Sequence, residues 1–311
     1  MLYTVGPYNK SGSAKYSKKI EEMYLMKTKF FVMILLIFAS LLSGCLGGGG
    51  DVTLVEPGSH RKIDYNGTEL IMELNFWNIK EFNGSAKLVY HKNNYTIGFY
   101  ANLSDIVMEE PQRYIQGYPE IFYGYKPWIG HGTNGKLPKR IKELGDIEVT
   151  LNYALWHERN LPINLAMETW ITAEEKAREA KEGDVELMVW LYSNSLVRPA
   201  GSKIKTINAP IVVNDTLREA EWEVWLYCNA LPWDLITFRL KEPIKSGKVK
   251  LSVLPLIATA KEVFEENSCR VKDFEELYLE DWEVGTEFGS PYKRSANFGW
   301  QIFEFEIRVK E

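Results

Sequence analysis

The sequence predicts an all-β fold, a two-sheet β-jelly roll with a curved cleft and one packed helix, and three observations lead there. From Thr68 onward, segments of period-2 hydrophobicity recur between turn signals, with lengths that suit strands better than helices. So many strands in about 250 residues need a closed or doubled sheet to hide their edges, and curving one sheet makes a groove. No internal repeat of fixed period points to a propeller or solenoid.

Taken in order, the strand runs are Glu69 to Trp77, Tyr95 to Ala101, Ile147 to Trp156, Asn164 to Ile171 and Val185 to Tyr192. They continue with Ile204 to Val213, Glu221 to Cys228, Leu235 to Leu240, Val249 to Val253 and Phe298 to Val309. Two stretches read as helical. Ala173 to Glu182 is short and solvated, whereas Ile257 to Glu266 places Ile257, Ala260, Val263 and Phe264 on one face for packing against a sheet.

The N-terminus points to export. Lys27 and Lys29 precede an apolar run from Phe30 to Leu42, too short to span a bilayer comfortably but suited to a signal-peptide core. The run ends at Leu42-Ser43-Gly44-Cys45, which resembles the prokaryotic lipobox, in which the cysteine sulfur receives a diacylglycerol before cleavage. A plain signal anchor would leave Cys45 unexplained. Met26 begins a well-formed signal peptide by itself, so the segment before it reads as a misassigned start. After Leu46, Gly47 to Gly50 form a flexible tether. The expected organisation is therefore residues 1–45 as extension and signal peptide, 46–60 as Gly-rich linker and 61–311 as a single domain. The domain would be extracellular, held to the outer face of the membrane through lipid on Cys45.

Composition bounds the function. The chain is 45% hydrophobic and 25% charged, ordinary for a globular domain. Its net charge of −5 is spread over interspersed Lys and Glu, without the basic stripe that nucleic-acid phosphates require. Nucleic acid is excluded as a partner, and a monomer is expected. The 10 Trp and 17 Tyr exceed core filling, and flat apolar rings suit sugar faces. Outside the cell, Cys228 and Cys269 are placed to pair, with two buried free thiols as the alternative.

Several motifs fail on inspection. Gly130 to Lys136 has P-loop spacing, but Leu137 replaces the Ser/Thr that would hold magnesium and Pro138 stands where a helix should begin. It reads as a loop. His60, His91, His131 and His157 show no paired helical spacing, so neither a metal nor a cofactor is expected. No Gly-x-Ser-x-Gly elbow is present.

Carboxylates carry the chemistry. In Val185-Glu186-Leu187-Met188-Val189-Trp190-Leu191, alternation puts Glu186, Met188 and Trp190 on one face, and both faces are largely apolar. A lone carboxylate on such a strand is costly to desolvate unless it is paired or lines a groove. Asn164-Leu165-Ala166-Met167-Glu168-Thr169-Trp170 repeats the oddity, and if the two strands pair, Glu168 and Glu186 meet. Glu287, in Gly285-Thr286-Glu287-Phe288-Gly289, is the third candidate and follows the acidic stretch Leu279 to Glu283.

These segments together resemble glycoside hydrolase family 12, the small jelly-roll endoglucanases with a concanavalin-like sandwich, and their archaeal members most closely. Glu-Leu-Met-Val-Trp at Glu186 resembles the family's nucleophile strand, and Gly-Thr-Glu-Phe at Glu287 its acid/base segment. Arg198-Pro199-Ala200-Gly201-Ser202 is similar to the Pro-x-Gly loop beside the cleft. Leu74-Asn75-Phe76-Trp77-Asn78 resembles the Asn-x-Trp subsite strand, and Gly117 to Gly124 the Tyr-Pro-x-Ile segment. The likeness spans nearly the whole domain in family order. Two departures stand out: Glu168 replaces the usual Asp, and Tyr125-Lys126-Pro127-Trp128 replaces a cysteine-bearing segment.

The resemblance implies a retaining endo-β-1,4-glucanase, with Glu186 as nucleophile, Glu287 as acid/base and a protonated Glu168 assisting Glu186. It also implies sugar-stacking by Trp77 and Trp128, site walls from Trp170 and Trp190, and substrate contacts from Asn75, Pro199 and Gly201. A carbohydrate-binding surface lipoprotein on the same fold, or xyloglucanase- or xylanase-like specificity, are the alternatives.

Overall fold

The computed structural model describes residues 50–310, so the signal-peptide segment, Met26 and Cys45 lie outside the described residues. The chain runs through β1 (Val52–Leu54), β2 (His60–Tyr65), β3 (Thr68–Glu73), β4 (Ile79–His91), β5 (Thr96–Met108) and β6 (Glu120–Lys126). Two short ladders, β7 (His131–Gly132) and β8 (Lys139–Arg140), precede β9 (Asp146–His157), β10 (Asn164–Thr172) and β11 (Val185–Ser193). Then come β12 (Ser202–Val213), β13 (Thr216–Tyr227), β14 (Asp234–Leu240), β15 (Ser246–Ser252) and helix α1 (Leu254–Glu266). The last elements are β16 (Tyr278–Leu279), β17 (Asp281–Gly285) and β18 (Ala296–Lys310).

Pairing separates these strands into two layers of a jelly roll. The back layer runs β1-β4-β5-β18-β9-β15. The front layer runs β2-β3-β6-β17-β10-β11-β14-β13-β12, antiparallel except for the parallel pair β11 and β14. At Val212 and Val213, β12 crosses to pair with β15 and joins the two layers along one edge.

The core is the product of alternation. Phe99, Trp300, Leu151 and Tyr153 of the back layer meet Met72, Trp282, Met167, Leu187, Val189, Phe238 and Trp222 of the front layer in one continuous cluster. Helix α1 buries Leu256, Ile257, Ala260, Val263 and Phe264 on one face, the face expected from its spacing. It begins with Pro255 in the first turn, and the Asn267 side-chain amide donates to the Val263 carbonyl at its end.

Ala173 to Glu182 forms no helix. Asp184 accepts hydrogen bonds from the Ala173 and Lys181 amides, and Glu280 accepts one from the Lys176 amide. These two carboxylates take donors that a helix would bond internally, and Lys176 adopts a positive φ of 57°. The sheet also starts earlier than residue 61: Val52–Leu54, within the expected linker, pairs with β4. Cys228 and Cys269 form a disulfide with their Cα atoms 5.5 Å apart.

Candidate active site

In the front layer every second side chain points away from the core. On β11, Val185, Leu187, Val189 and Leu191 belong to the core, which leaves Glu186, Met188 and Trp190 on the open face. On β10, Leu165, Met167 and Ile171 face the core, and Ala166, Glu168 and Trp170 share the open face with Glu186. The register pairs Trp170 with Glu186 and Glu168 with Met188, so the two carboxylates are diagonal neighbours rather than directly opposed.

Glu287 reaches the same face from the segment after β17. Asn164 at the start of β10 clamps it: the Asn164 amide nitrogen donates to Glu287 Oε2 at 2.6 Å, and the Glu287 backbone N–H donates to Asn164 Oδ1 at 2.9 Å. Gly285 permits the approach of neighbouring strands, because a Cβ there would lie 2.7 Å from the Pro119 carbonyl oxygen and 3.0 Å from the Tyr118 ring. The Tyr118 hydroxyl passes this point to donate to the Ala166 carbonyl at 3.1 Å.

Electrostatically the acids form one group. Burial pushes Glu186 up to about 8, helped by the negative charge of Glu287 and opposed by a hydrogen bond from the Trp233 indole N–H at 2.7 Å. Glu287 rises to about 7 through burial, opposed by its bond from Asn164. Both carboxyls have a window to solvent, yet protein surrounds them on most sides, which is the environment of a cleft floor. Glu168 is 6% exposed and is raised well above the ordinary range by burial and then by the charge of Glu186. Burial thus lifts both carboxyls toward neutrality, Glu186 at least as far as Glu287.

Beside them on the same face, across β17, β6 and β3, lies a buried ion network that alternation alone does not reveal. Lys126 Nζ donates to Glu120 Oε1 at 2.6 Å and to Glu283 Oε2 at 2.8 Å, and stands 3.7 Å from Glu73 Oε2. Glu283 is the direct cross-strand partner of Glu168. Burial opposes charge on Lys126, but Glu120, Glu283 and Glu73 outweigh it and hold the ammonium well above its ordinary value. Burial likewise opposes charge on Glu283, and Lys126 overcomes it, so Glu283 is lowered while burial raises Glu120 and Asp281. Glu120 Oε2, Asp281 Oδ2 and Glu283 Oε1 are buried and meet no N–H or hydroxyl donor among the described residues. Carboxyls so placed close on one another only when some carry protons.

The aromatic residues divide into two groups. Trp128 and Trp170 meet edge to face with centroids 4.6 Å apart, and Trp233 packs against both at 5.8 and 5.2 Å, so Trp128 joins Glu186 through this trio. Trp190 is buried with Tyr118, Ala166, Met188 and Leu235, and Val197 of the following loop packs on them. Trp77 stands apart, 44% exposed under the Arg113 guanidinium. Asn75 turns its amide toward Glu120 Oε1 at 3.0 Å, into the ion network. Pro199 is buried, and Gly201 has a φ of 79° at a place where a Cβ would collide with the Leu226 carbonyl oxygen. Trp233, Asn164, Tyr118 and the Lys126 network were not singled out from sequence. Lys126 and Glu283 stood in segments already marked as unusual, whereas nothing local marks Trp233.

Residues 68–310 match the family model for glycosyl hydrolase family 12. The chain belongs to that family. Among solved family 12 folds, the endoglucanase Cel12A from Rhodothermus marinus superposes with a TM-score of 0.64 at 23% identity, covering 83% of this chain and 99% of that one. A family 12 xyloglucanase from Bacillus licheniformis gives 0.62 at 17% identity, covering 83% and 100%. A metagenome-derived family 12 endoglucanase gives 0.62 at 20% identity, covering 85% and 99%. No curated protein sequence matches this family 12 chain. Membership makes the chain a glycoside hydrolase and accounts for the jelly roll.

Proposed function

We propose that this family 12 protein is a retaining endo-β-1,4-glucanase that cuts internal bonds of cellulose-type, mixed-linkage or related β-glucans. The observation that carries the reading is the convergence of Glu186, Glu168 and Glu287 on one open face, with Asn164 fastening Glu287 and Trp233 bonding Glu186. Solved family 12 folds named as endoglucanases and as a xyloglucanase agree with a β-glucan substrate.

In this reading Glu186 attacks the anomeric carbon as carboxylate and forms a glycosyl-enzyme, while Glu287 protonates the leaving oxygen. Glu287 then takes a proton from the water that releases the sugar. The retaining course requires the two carboxyls about 5 to 5.5 Å apart across the scissile bond. One proton on the pair is what each half-reaction needs, and two raised carboxyls supply it near neutrality. Glu168, whose carboxyl is raised well above the ordinary range by burial and then by the charges of Glu186 and Glu283, is in this reading the neutral neighbour of the Glu186 anion. Trp128, beside the carboxylates, and Trp77, apart from them, serve as exposed stacking platforms, and Trp170 and Trp190 wall the centre.

Release of reducing sugar from carboxymethylcellulose, barley β-glucan and xyloglucan tests the activity and ranks the substrates; xylan cut in their place would mean a xylanase, and no release from any of the four would leave a binding protein. The anomer of the first-formed product, followed by NMR, tests retention; an initial α-anomer overturns it. Export and lipidation at Cys45 belong to the same proposal, on the strength of the Lys27 to Cys45 segment. Metabolic labelling with a radioactive fatty acid, lost in Cys45→Ala, is the expected result.

A further inference from the structure

Among the described residues the Glu186 carboxylate has one neutral donor fixed on it, and that donor is carried by a loop with its own anchorage. Trp233 Nε1 lies 2.7 Å from Glu186 Oε2. Its ring is held edge-on by Trp128 and Trp170, and Trp170 is the cross-strand partner of Glu186. The backbone around it is pinned from below. Arg270 donates to the carbonyls of Leu231 and Trp233, the Arg270 amide donates to Asp234 Oδ2 at 2.9 Å, and the Asn229 amide donates to Asp234 Oδ1 at 2.8 Å. Asp234 is fully buried. Immediately before this loop Cys228 bonds Cys269, the neighbour of Arg270, so the disulfide joins the loop to the segment that pins it.

We propose that Trp233 is a positioning residue for the reaction, orienting Glu186 and favouring its ionised form, and that the Cys228–Cys269 bridge with Arg270 is the seat that keeps the indole in place. The inference rests on the reading of Glu186 as nucleophile. A donor on the carboxylate stabilises the anion and also fixes which oxygen is turned toward substrate, whereas a mere packing role for the ring would do neither. The charged groups that face Glu186 are Glu287 from the segment after β17, Glu168 from β10, Glu283 from β17 and Lys126 from β6. None of them donates a hydrogen bond to it, which leaves the indole N–H as the donor on Glu186 among the described residues.

The test is Trp233→Phe, which keeps an aromatic ring against Trp128 and Trp170 and deletes the N–H. The expected result is a kcat/KM lower by roughly ten- to a hundredfold, the size of one hydrogen bond to a charged group, with the acid limb of its pH profile raised by about one unit and Tm little changed. Cys228→Ser/Cys269→Ser, assayed well below its Tm, shifts the same limb in the same direction by less. In the wild-type protein, one indole N–H resonance titrates with the acid limb and stops titrating in Glu186→Gln. An unmoved acid limb in Trp233→Phe, or no indole resonance that follows Glu186, overturns the proposal. If Glu186→Gln keeps full activity, the nucleophile assignment itself fails; if that variant is inactive while Trp233→Phe matches wild type, only the role of Trp233 falls.

Discussion

In the back sheet, Phe99, Trp300, Leu151 and Tyr153 face inward, and charge is confined to the outer surface in pairs such as Lys248 with Glu304 and Lys310 with Glu148. In the front sheet, β3, β6, β17 and β10 bury Glu73, Glu120, Lys126, Asp281, Glu283 and Glu168 on the face opposite the core. One layer keeps its ions in water, where each pair adds little; the other removes them from water, where they survive only by sharing protons and one ammonium. The contrast teaches that the open face of the front sheet is arranged for the charge states of its acids at some expense of stability, while the apolar core that offsets it is shared by both sheets.

The largest effect should come from the front sheet's chemistry. Glu186→Gln and Glu287→Gln are each expected to leave the fold intact and to depress glucanase turnover by several orders of magnitude, measured as reducing sugar released; full activity in either variant would break the assignment. Next, the same substitution in the two layers should cost very different amounts. Lys126→Met strands buried carboxylates and should lower the free energy of unfolding by about 3 to 5 kcal/mol. Lys248→Met, at a half-exposed pair, should lower it by under about 1 kcal/mol in the same urea titration. Equal losses would erase the distinction between the layers. Removing the disulfide should cost about 3 to 4 kcal/mol, from the 41-residue separation that it closes.

A smaller and more specific effect concerns pH. Glu186 and Glu287 have folded-state values near 8 and 7 against an ordinary 4.5, so between these limits the folded protein binds more protons than the unfolded chain. Stability contributed by these groups is therefore present at low pH and is lost as pH rises from about 4.5 toward 8. Glu186→Gln should flatten that decline and melt above the wild type at pH 8. Thermal melts that run parallel for the two proteins across this range would show that the carboxyl carries no such cost.

Much of the site was legible because function leaves a carboxylate where hydrophobic alternation forbids one. Glu168 and Glu186 stood out against Leu, Met, Val and Trp neighbours, and the structure brings both to the open face. The same rule hid the rest. In β6 and β17, Glu120, Lys126, Asp281 and Glu283 alternate with Ile121, Trp282 and Val284 as the residues of a solvent face would, and nothing local tells a solvated Lys from one buried among three glutamates. The β2 and β4 strands, with charged or broken patterns, were missed for the same reason.

By itself the sequence determined the doubled β-sheet, the packed helix, the carboxylates of β10 and β11 and the likeness to family 12, because each depends on the order of residues along one strand, one helix or one motif. Only the tertiary structure decided that Ala173 to Glu182 stays unwound on Asp184 and Glu280, that Cys228 meets Cys269, and that Trp233 lands on Glu186. Each of these is a contact between segments distant in the chain, and its energy depends on burial and partner geometry that no local spacing encodes.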